Sequence, residues 1–179
     1  MGIDLYYSPG SSGCWAVITT AKYLEIPLNL KTVNLIEGDH LKPEFLEINP
    51  QHCIPTMVED EFVLWESRAI MRYLVNQYSS ENQIYPTDVK QRAIVDRLLD
   101  FDLGTLNSAI GQYFAPQLMK GEEPNPEKEA EMRNKLALLE IFLSEGPYAA
   151  GDSLTLADFS LLSSVSILEA FDFDLSMYS

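Results

Sequence analysis

Ile54-Pro55-Thr56-Met57-Val58-Glu59-Asp60-Glu61-Phe62-Val63-Leu64-Trp65-Glu66-Ser67-Arg68 is the stretch that decides the fold. Two apolar runs, 54–58 and 62–65, flank the polar tip Glu59-Asp60-Glu61, and this pattern reads as a β-hairpin. Proline cannot donate to a strand ladder, so Pro55 marks a deliberate bend, with a cis peptide as a natural way to make it. Such a bend leaves main-chain N–H and C=O groups unpaired and able to grip an extended peptide as an added strand. Further on, Glu66-Ser67 offers a carboxylate and a helix N-terminus to the charged end of that peptide. Together these features predict a site for a small zwitterionic peptide.

Working outward, 3–7 reads as a short buried strand, and Pro9-Gly10-Ser11-Ser12-Gly13 as a turn that opens a helix capped by serine. Val17, Ile18, Ala21 and Leu24 recur at helical spacing through 14–24. A second strand is expected over 28–33 and a short helix over 43–48, ended by Asn49-Pro50. A longer helix over 67–78 carries Ile70, Leu74 and, on a flanking face, Tyr73. The order is βαβαββα. Strands joined through a helix should run parallel, and the closing hairpin antiparallel.

Everything later reads as helix: 88–117 as one long helix or a kinked pair containing Gly104 and Gly111, then 124–143, then Thr155 to about 168. Thr155-Leu156-Ala157-Asp158 is a capping box, with Leu154 and Phe159 placed as its hydrophobic staple. Pro55, Thr155 and Asp158 are therefore structural candidates. The expected organisation is a mixed α/β domain over 1–79, a polar linker over 80–87 and an all-helical domain over 88–179.

Composition narrows the function. Among the 179 residues, 46% are hydrophobic and 22% charged, which fits an ordinary soluble globular protein. No run approaches the about 18 apolar residues of a membrane span, and the start has no basic, apolar signal-peptide pattern. Tyr6 stands where a myristoylation motif after Met1-Gly2 wants Ser or Thr. The two cysteines, Cys14 and Cys53, make no disulfide framework, so a cytoplasmic setting is expected. A net charge of −15 argues against nucleic acid. An acidic chain that binds an anion must concentrate its few cations, and His40, Lys42, His52 and Arg68 gather near the hairpin motif. Glu122, Glu123, Glu127, Glu129 and Glu131 read as a solvated helix face.

Six motifs occur in order: 6–14 (Tyr-Tyr-Ser-Pro-Gly-Ser-Ser-Gly-Cys), Asn34-Leu35, His40-Leu41-Lys42-Pro43-Glu44-Phe45, 49–56, 64–70 and 148–158. In them the chain resembles the cytosolic glutathione S-transferases, and the insect Delta class most closely. The resemblance covers essentially the whole chain. It implies a thioredoxin-like α/β domain followed by a helical domain, a cytoplasmic detoxification enzyme, homodimers, glutathione as co-substrate and small hydrophobic electrophiles as partners, with no metal. Three departures stand out: Gly13 where the family commonly has proline, Trp15 where it commonly has a basic residue, and an end at Ser179 one or two helices early.

The thiolate, not the thiol, is the nucleophile. A free thiol ionises near pH about 8.5, and lowering that by about two units needs roughly 2.7 kcal/mol of preferential thiolate stabilisation. A hydroxyl donor at a helix N-terminus supplies much of this. Ser11 matches the Delta catalytic serine and would donate to the sulfur; Ser12 is its neighbour, and simple helix capping is the structural alternative for Ser11. The resemblance further implies that Ile54 pairs its backbone with the cysteinyl unit and that Cys53 forms the site wall. Glu66 would hold the γ-glutamyl ammonium, Ser67 and the helix amides its carboxylate, and His40 and His52 the glycyl carboxylate. Arg68 would support this site or a dimer contact. Leu103, Asn107, Ile110, Tyr113 and Phe114 are candidate walls of a hydrophobic substrate pocket, and equally fit an interhelical core. Two other functions stay open on sequence alone: a ligand-holding protein with little turnover, and thiol–disulfide chemistry through Cys14, since Ser11-Ser12-Gly13-Cys14 has Cys-x-x-Cys spacing with the first cysteine replaced.

Overall fold

The computed structural model describes residues 2–81 and 83–178. The chain divides into two units, Met1–Asn82 and Gln83–Ser179. The first contains β1 (Ile3–Tyr7), α1 (Ser12–Tyr23), β2 (Leu28–Thr32), α2 (Pro43–Ile48), β3 (Thr56–Glu59), β4 (Phe62–Trp65) and α3 (Ser67–Tyr78). Its four strands form one mixed sheet in the order β2-β1-β3-β4. β1 runs parallel to β2, as a helical crossover demands, and β3 runs antiparallel to both β1 and β4. This is the thioredoxin-like βαβαββα arrangement.

Side chains alternate along a strand, and that alternation builds the layers. Leu5 lies opposite Met57, and both are fully buried. Tyr6 takes the other face of β1 and meets Phe45 of α2 edge-to-face, with ring centroids 5.6 Å apart. α1 and α3 pack against each other, with Cys14, Ala16 and Val17 of one and Ile70, Met71 and Leu74 of the other fully buried. β3 begins at Thr56 rather than two residues earlier, because Pro55 has no N–H to give to the ladder. The Ile54–Pro55 peptide is cis. A 3-10 turn at Asp39–Leu41 precedes α2 and had no clear periodic signal.

The second unit contains α4 (Val89–Phe101), α5 (Asn107–Lys120), α6 (Pro126–Leu143) and α7 (Leu156–Ala170). The 88–117 span is thus a pair of helices, joined by a π-helical stretch, Asp102–Leu106, around Gly104. Gly111 sits inside α5 without interrupting it. The 80–87 segment is anchored at its end. Ile84 and Tyr85 are buried, Ile84 O accepts the Leu156 N–H at 2.8 Å, and the Tyr85 hydroxyl donates to Asp96 at 3.0 Å. The capping box at Thr155 and Asp158 is present at the start of α7. Phe114 stacks on Phe171 at 5.0 Å, and Phe173 meets Tyr113 edge-on at 6.0 Å. Among the described residues no helix is long and apolar enough to cross a membrane.

Candidate active site

Ser11 is the N-cap of α1, with extended backbone, and its Oγ accepts the Cys14 N–H at 3.3 Å. The turn before it closes through Ser11 N–H to Ser8 O at 3.1 Å. A hydroxyl used as an acceptor keeps its own proton to donate. Serine capping and serine donation are therefore compatible at this position. The Cys14 thiol beneath it is fully buried. Burial pushes its pKa up, against opposing hydrogen bonds from the Ser11 hydroxyl and the Ser8 backbone, with a further small upward push from Cys53. Cys14 is consequently a protonated, enclosed thiol at neutral pH, poorly suited to thiol transfer.

The loop from α2 to β3 is held by a residue whose importance the sequence did not reveal. Asn49 is fully buried. Its Nδ2 donates to Thr56 Oγ1 at 2.8 Å and to Cys53 O at 3.2 Å. Its Oδ1 accepts the Gln51 N–H at 2.9 Å. Thr56 Oγ1 donates in turn to Cys53 O at 2.7 Å. These bonds fix the half-buried Cys53-Ile54 segment, and Ile54 makes no backbone–backbone hydrogen bond among the described residues. Asn-Pro had signalled only a helix stop, and a buried asparagine leaves no periodic trace.

Gln51 is a second such residue. Its Oε1 accepts the Trp65 indole N–H at 2.9 Å, and its Nε2 donates to Glu66 Oε1 at 3.3 Å. Glu66 is exposed, with φ 70° and ψ 106°, and His52 has φ 45°. Positive φ at a non-glycine residue costs of order 1–3 kcal/mol and concentrates at functional sites. The His40 and His52 ring centroids are 6.1 Å apart. His40 Nδ1 is buried with no hydrogen-bond partner among the described residues. Lys42 is occupied by Asp39 at 2.6 Å, an exposed pair that holds the loop's charge locally.

α3 opens at Ser67 with no side-chain cap on its first amides, which leaves them oriented for an anion. Ser67 Oγ accepts Arg68 Nη1 at 2.7 Å, and both residues are buried. The two helix starts converge. A Cβ placed on Gly13 would stand 3.1 Å from Ser67 Oγ and 3.5 Å from Pro55 Cδ. The structure thus joins Ser11, Pro55, Ser67 and Arg68 on one side to Cys53, Glu66, His52 and His40 on the other, through Gly13, Asn49 and Gln51.

The helical candidates belong to the second unit and divide among themselves. Leu103 lies in the π-helical stretch, 43% exposed. Asn107 lines an open groove of about 530 Å³ with Gly111, Ala115 and Pro116. Ile110 is buried in the core of this unit. Tyr113 and Phe114 line a different cavity, of about 310 Å³, with Arg133, Phe171 and Phe173. Nearby, buried Asp102 accepts the Ser160 hydroxyl at 2.5 Å, a polar core pair that hydropathy patterning could not show. Among the described residues no group of His, Cys, Asp and Glu could hold a metal ion.

Residues 5–82 match the glutathione S-transferase N-terminal domain and residues 105–178 the glutathione S-transferase C-terminal domain. The structure is similar to a delta-class glutathione transferase of Nilaparvata lugens, at 44% identity and TM-score 0.94, over 98% of this chain and 83% of that one. It is also similar to Bombyx mori glutathione transferase BmGSTD1, at 44% identity and TM-score 0.95, over 99% and 82% of the two chains. An epsilon-class enzyme from the housefly, Musca domestica, follows the same fold at 37% identity and TM-score 0.91, over 98% and 82%. The chain belongs to the glutathione S-transferase family. It is a transferase, and its co-substrate is glutathione.

Proposed function

We propose that this enzyme conjugates the glutathione thiolate to small hydrophobic electrophiles, with the Ser11 hydroxyl stabilising the thiolate. The observation that carries this reading is the convergence of the α1 and α3 starts at Gly13 and Ser67 beside Pro55. Ser11 stands at one helix start and an uncapped anion site at the other. In this reading the Ile54 backbone pairs with the cysteinyl unit as an added strand. Glu66 holds the γ-glutamyl ammonium, while Ser67 and the first α3 amides hold its carboxylate. Arg68 fixes the Ser67 hydroxyl, and His40 with His52 faces the glycyl carboxylate. Cys53 forms the wall between them. The electrophile is taken up against the helical unit, where Leu103, Asn107, Ile110, Tyr113 and Phe114 are the candidates and Tyr113 with Phe114 share one cavity. Family membership supports a cytoplasmic homodimer that acts in detoxification.

Ser11→Ala tests the mechanism. Loss of a two-unit thiol pKa depression, from about 6.5 back to about 8.5, predicts about a twenty- to thirtyfold lower turnover of an aryl halide at about pH 7, approaching a hundredfold only well below pH about 6.5. The basic limb of the rate profile should move toward the free thiol value, while glutathione affinity, measured calorimetrically, stays within about threefold because the tripeptide's other contacts remain. Unchanged turnover in Ser11→Ala overturns the serine mechanism.

A further inference from the structure

The turn that presents Ser11 is tied down by a side chain that reaches it from the solvent side. Trp15 lies in the first turn of α1 and is 45% exposed, so burial is only part of what it contributes. Its indole Nε1 donates to the Pro9 carbonyl at 2.6 Å. Pro9 and Gly10 are exposed, and a Cβ on Gly10 would meet nothing within 4 Å. This is an open, glycine-softened segment directly before the capping serine. Among the described residues, the backbone bond that closes the turn runs from Ser11 N–H to Ser8 O at 3.1 Å. On the helix side, Ser11 O accepts the N–H groups of Cys14 and Trp15, each at 3.1 Å. The same residue therefore grips the turn twice, by its amide at Ser11 and by its indole at Pro9. Trp15 stands where the family resemblance calls for a basic side chain.

We propose that Trp15 is a positioning residue: its indole N–H holds the Pro9 carbonyl, folds 9–11 onto the first turn of α1, and fixes the direction in which the Ser11 hydroxyl donates. The proposal rests on the thiolate-stabilising role given to Ser11 above. Hydrogen bonds weaken steeply as their angle departs from linear, so a turn left to swing on Gly10 loses thiolate stabilisation before it loses tripeptide binding. Burial pushes the pKa of the neighbouring Cys14 thiol upward, away from the range in which an activated glutathione thiol titrates. A shift in the basic limb therefore reports the bound thiol.

Trp15→Phe keeps a ring and removes only the donor. In the full chain, kcat for a generic aryl halide should fall about three- to tenfold, the worth of one directed hydrogen bond. KM for glutathione should move less than about twofold, because the contacts that bind it are untouched. The basic limb should rise by about half a pH unit or more. Ser11→Ala is assayed alongside. If Ser11→Ala is silent, the serine mechanism fails and takes this proposal with it. If Ser11→Ala is crippled while Trp15→Phe keeps both wild-type kcat and pH profile, the positioning role alone is overturned. A ground-state measurement is independent of turnover. The indole N–H resonance that disappears in Trp15→Phe should exchange with solvent more slowly than that of free tryptophan, despite its exposure. Exchange at the free rate also overturns the proposal.

Discussion

Gly13 and Ser67 face each other at the point where two helices begin: a Cβ on Gly13 would lie 3.1 Å from Ser67 Oγ, inside ordinary van der Waals contact. The nearest group is thus the very hydroxyl that Arg68 holds at 2.7 Å. Gly13→Ala should therefore trade two effects. Alanine recovers about 0.5–1 kcal/mol of helix propensity, while crowding a packed contact costs about 1–3 kcal/mol. A net loss of about 1 kcal/mol, seen as a melting temperature about 2–4 °C lower, is expected. KM for glutathione should rise about three- to tenfold as Ser67 is displaced. A variant more stable than wild type with unchanged KM would show that Ser67 moves aside at no cost.

Asn49→Ala should be the most damaging single change in the loop before β3. It removes donors to Thr56 Oγ1 and Cys53 O and the acceptor for the Gln51 N–H, all around a fully buried side chain. At about 0.5–1.5 kcal/mol for each bond lost, and more where a buried group is left unsatisfied, the expected destabilisation is about 2–3 kcal/mol in urea unfolding. Thr56 Oγ1 still donates to Cys53 O at 2.7 Å, which keeps the loss from being larger. Glutathione affinity should fall with it, because the same bonds fix Cys53 and Ile54. A change below about 0.5 kcal/mol, the range of a neutral surface substitution, would contradict this.

Much of the first unit was legible because its signals are local. Leu5 and Tyr6 alternate onto opposite faces, Ser11 caps α1, and Pro55 stops a strand. Each is decided by a neighbour within a turn or two. Residues that act across the chain left no such pattern. Gln51 reaches Trp65 and Glu66, and Gly13 earns its place only by what lies opposite it. The helical candidates show the same limit. The span 88–117 read as one long helix or a kinked pair; it is a pair joined by the π-helical stretch Asp102–Leu106, and Asn107, Ile110, Tyr113 and Phe114 all lie on the second helix, α5. Asn107 and Tyr113, six residues and so about 240° apart around α5, line different cavities, which spacing alone did not turn into separate sites.

Asp158→Ala tests the start of α7. The carboxylate accepts the N–H of Ala149 at 2.8 Å and that of Thr155 at 2.7 Å, as well as the Thr155 hydroxyl at 3.0 Å. It therefore closes the capping box and also pins the preceding loop. A cap alone is worth about 0.5–2 kcal/mol, and the added loop contact should bring the loss to about 2–3 kcal/mol. Thr155→Ala removes only the hydroxyl contribution and should cost about 1 kcal/mol. Equal losses in the two variants would mean that the carboxylate's bonds to the Ala149 and Thr155 N–H groups contribute nothing.

Glu59 accepts the hydroxyls of Tyr73, at 2.5 Å, and Tyr78. The hydrogen bond to Glu59, then partial burial and the carboxylate's charge, push the Tyr73 pKa up to about 12. In the unfolded chain a tyrosine ionises near about pH 10. The folded state thus holds this proton more tightly. Its contribution to stability is fully present below pH about 10 and is lost as pH rises toward about 12. Tyrosinate absorbance should show a late-titrating tyrosine that Glu59→Gln returns toward about pH 10, since the amide removes the charge and weakens the acceptor. At about pH 11 the variant should carry close to one more tyrosinate than wild type. Superimposable titrations would mean that Glu59 does not set the Tyr73 proton affinity.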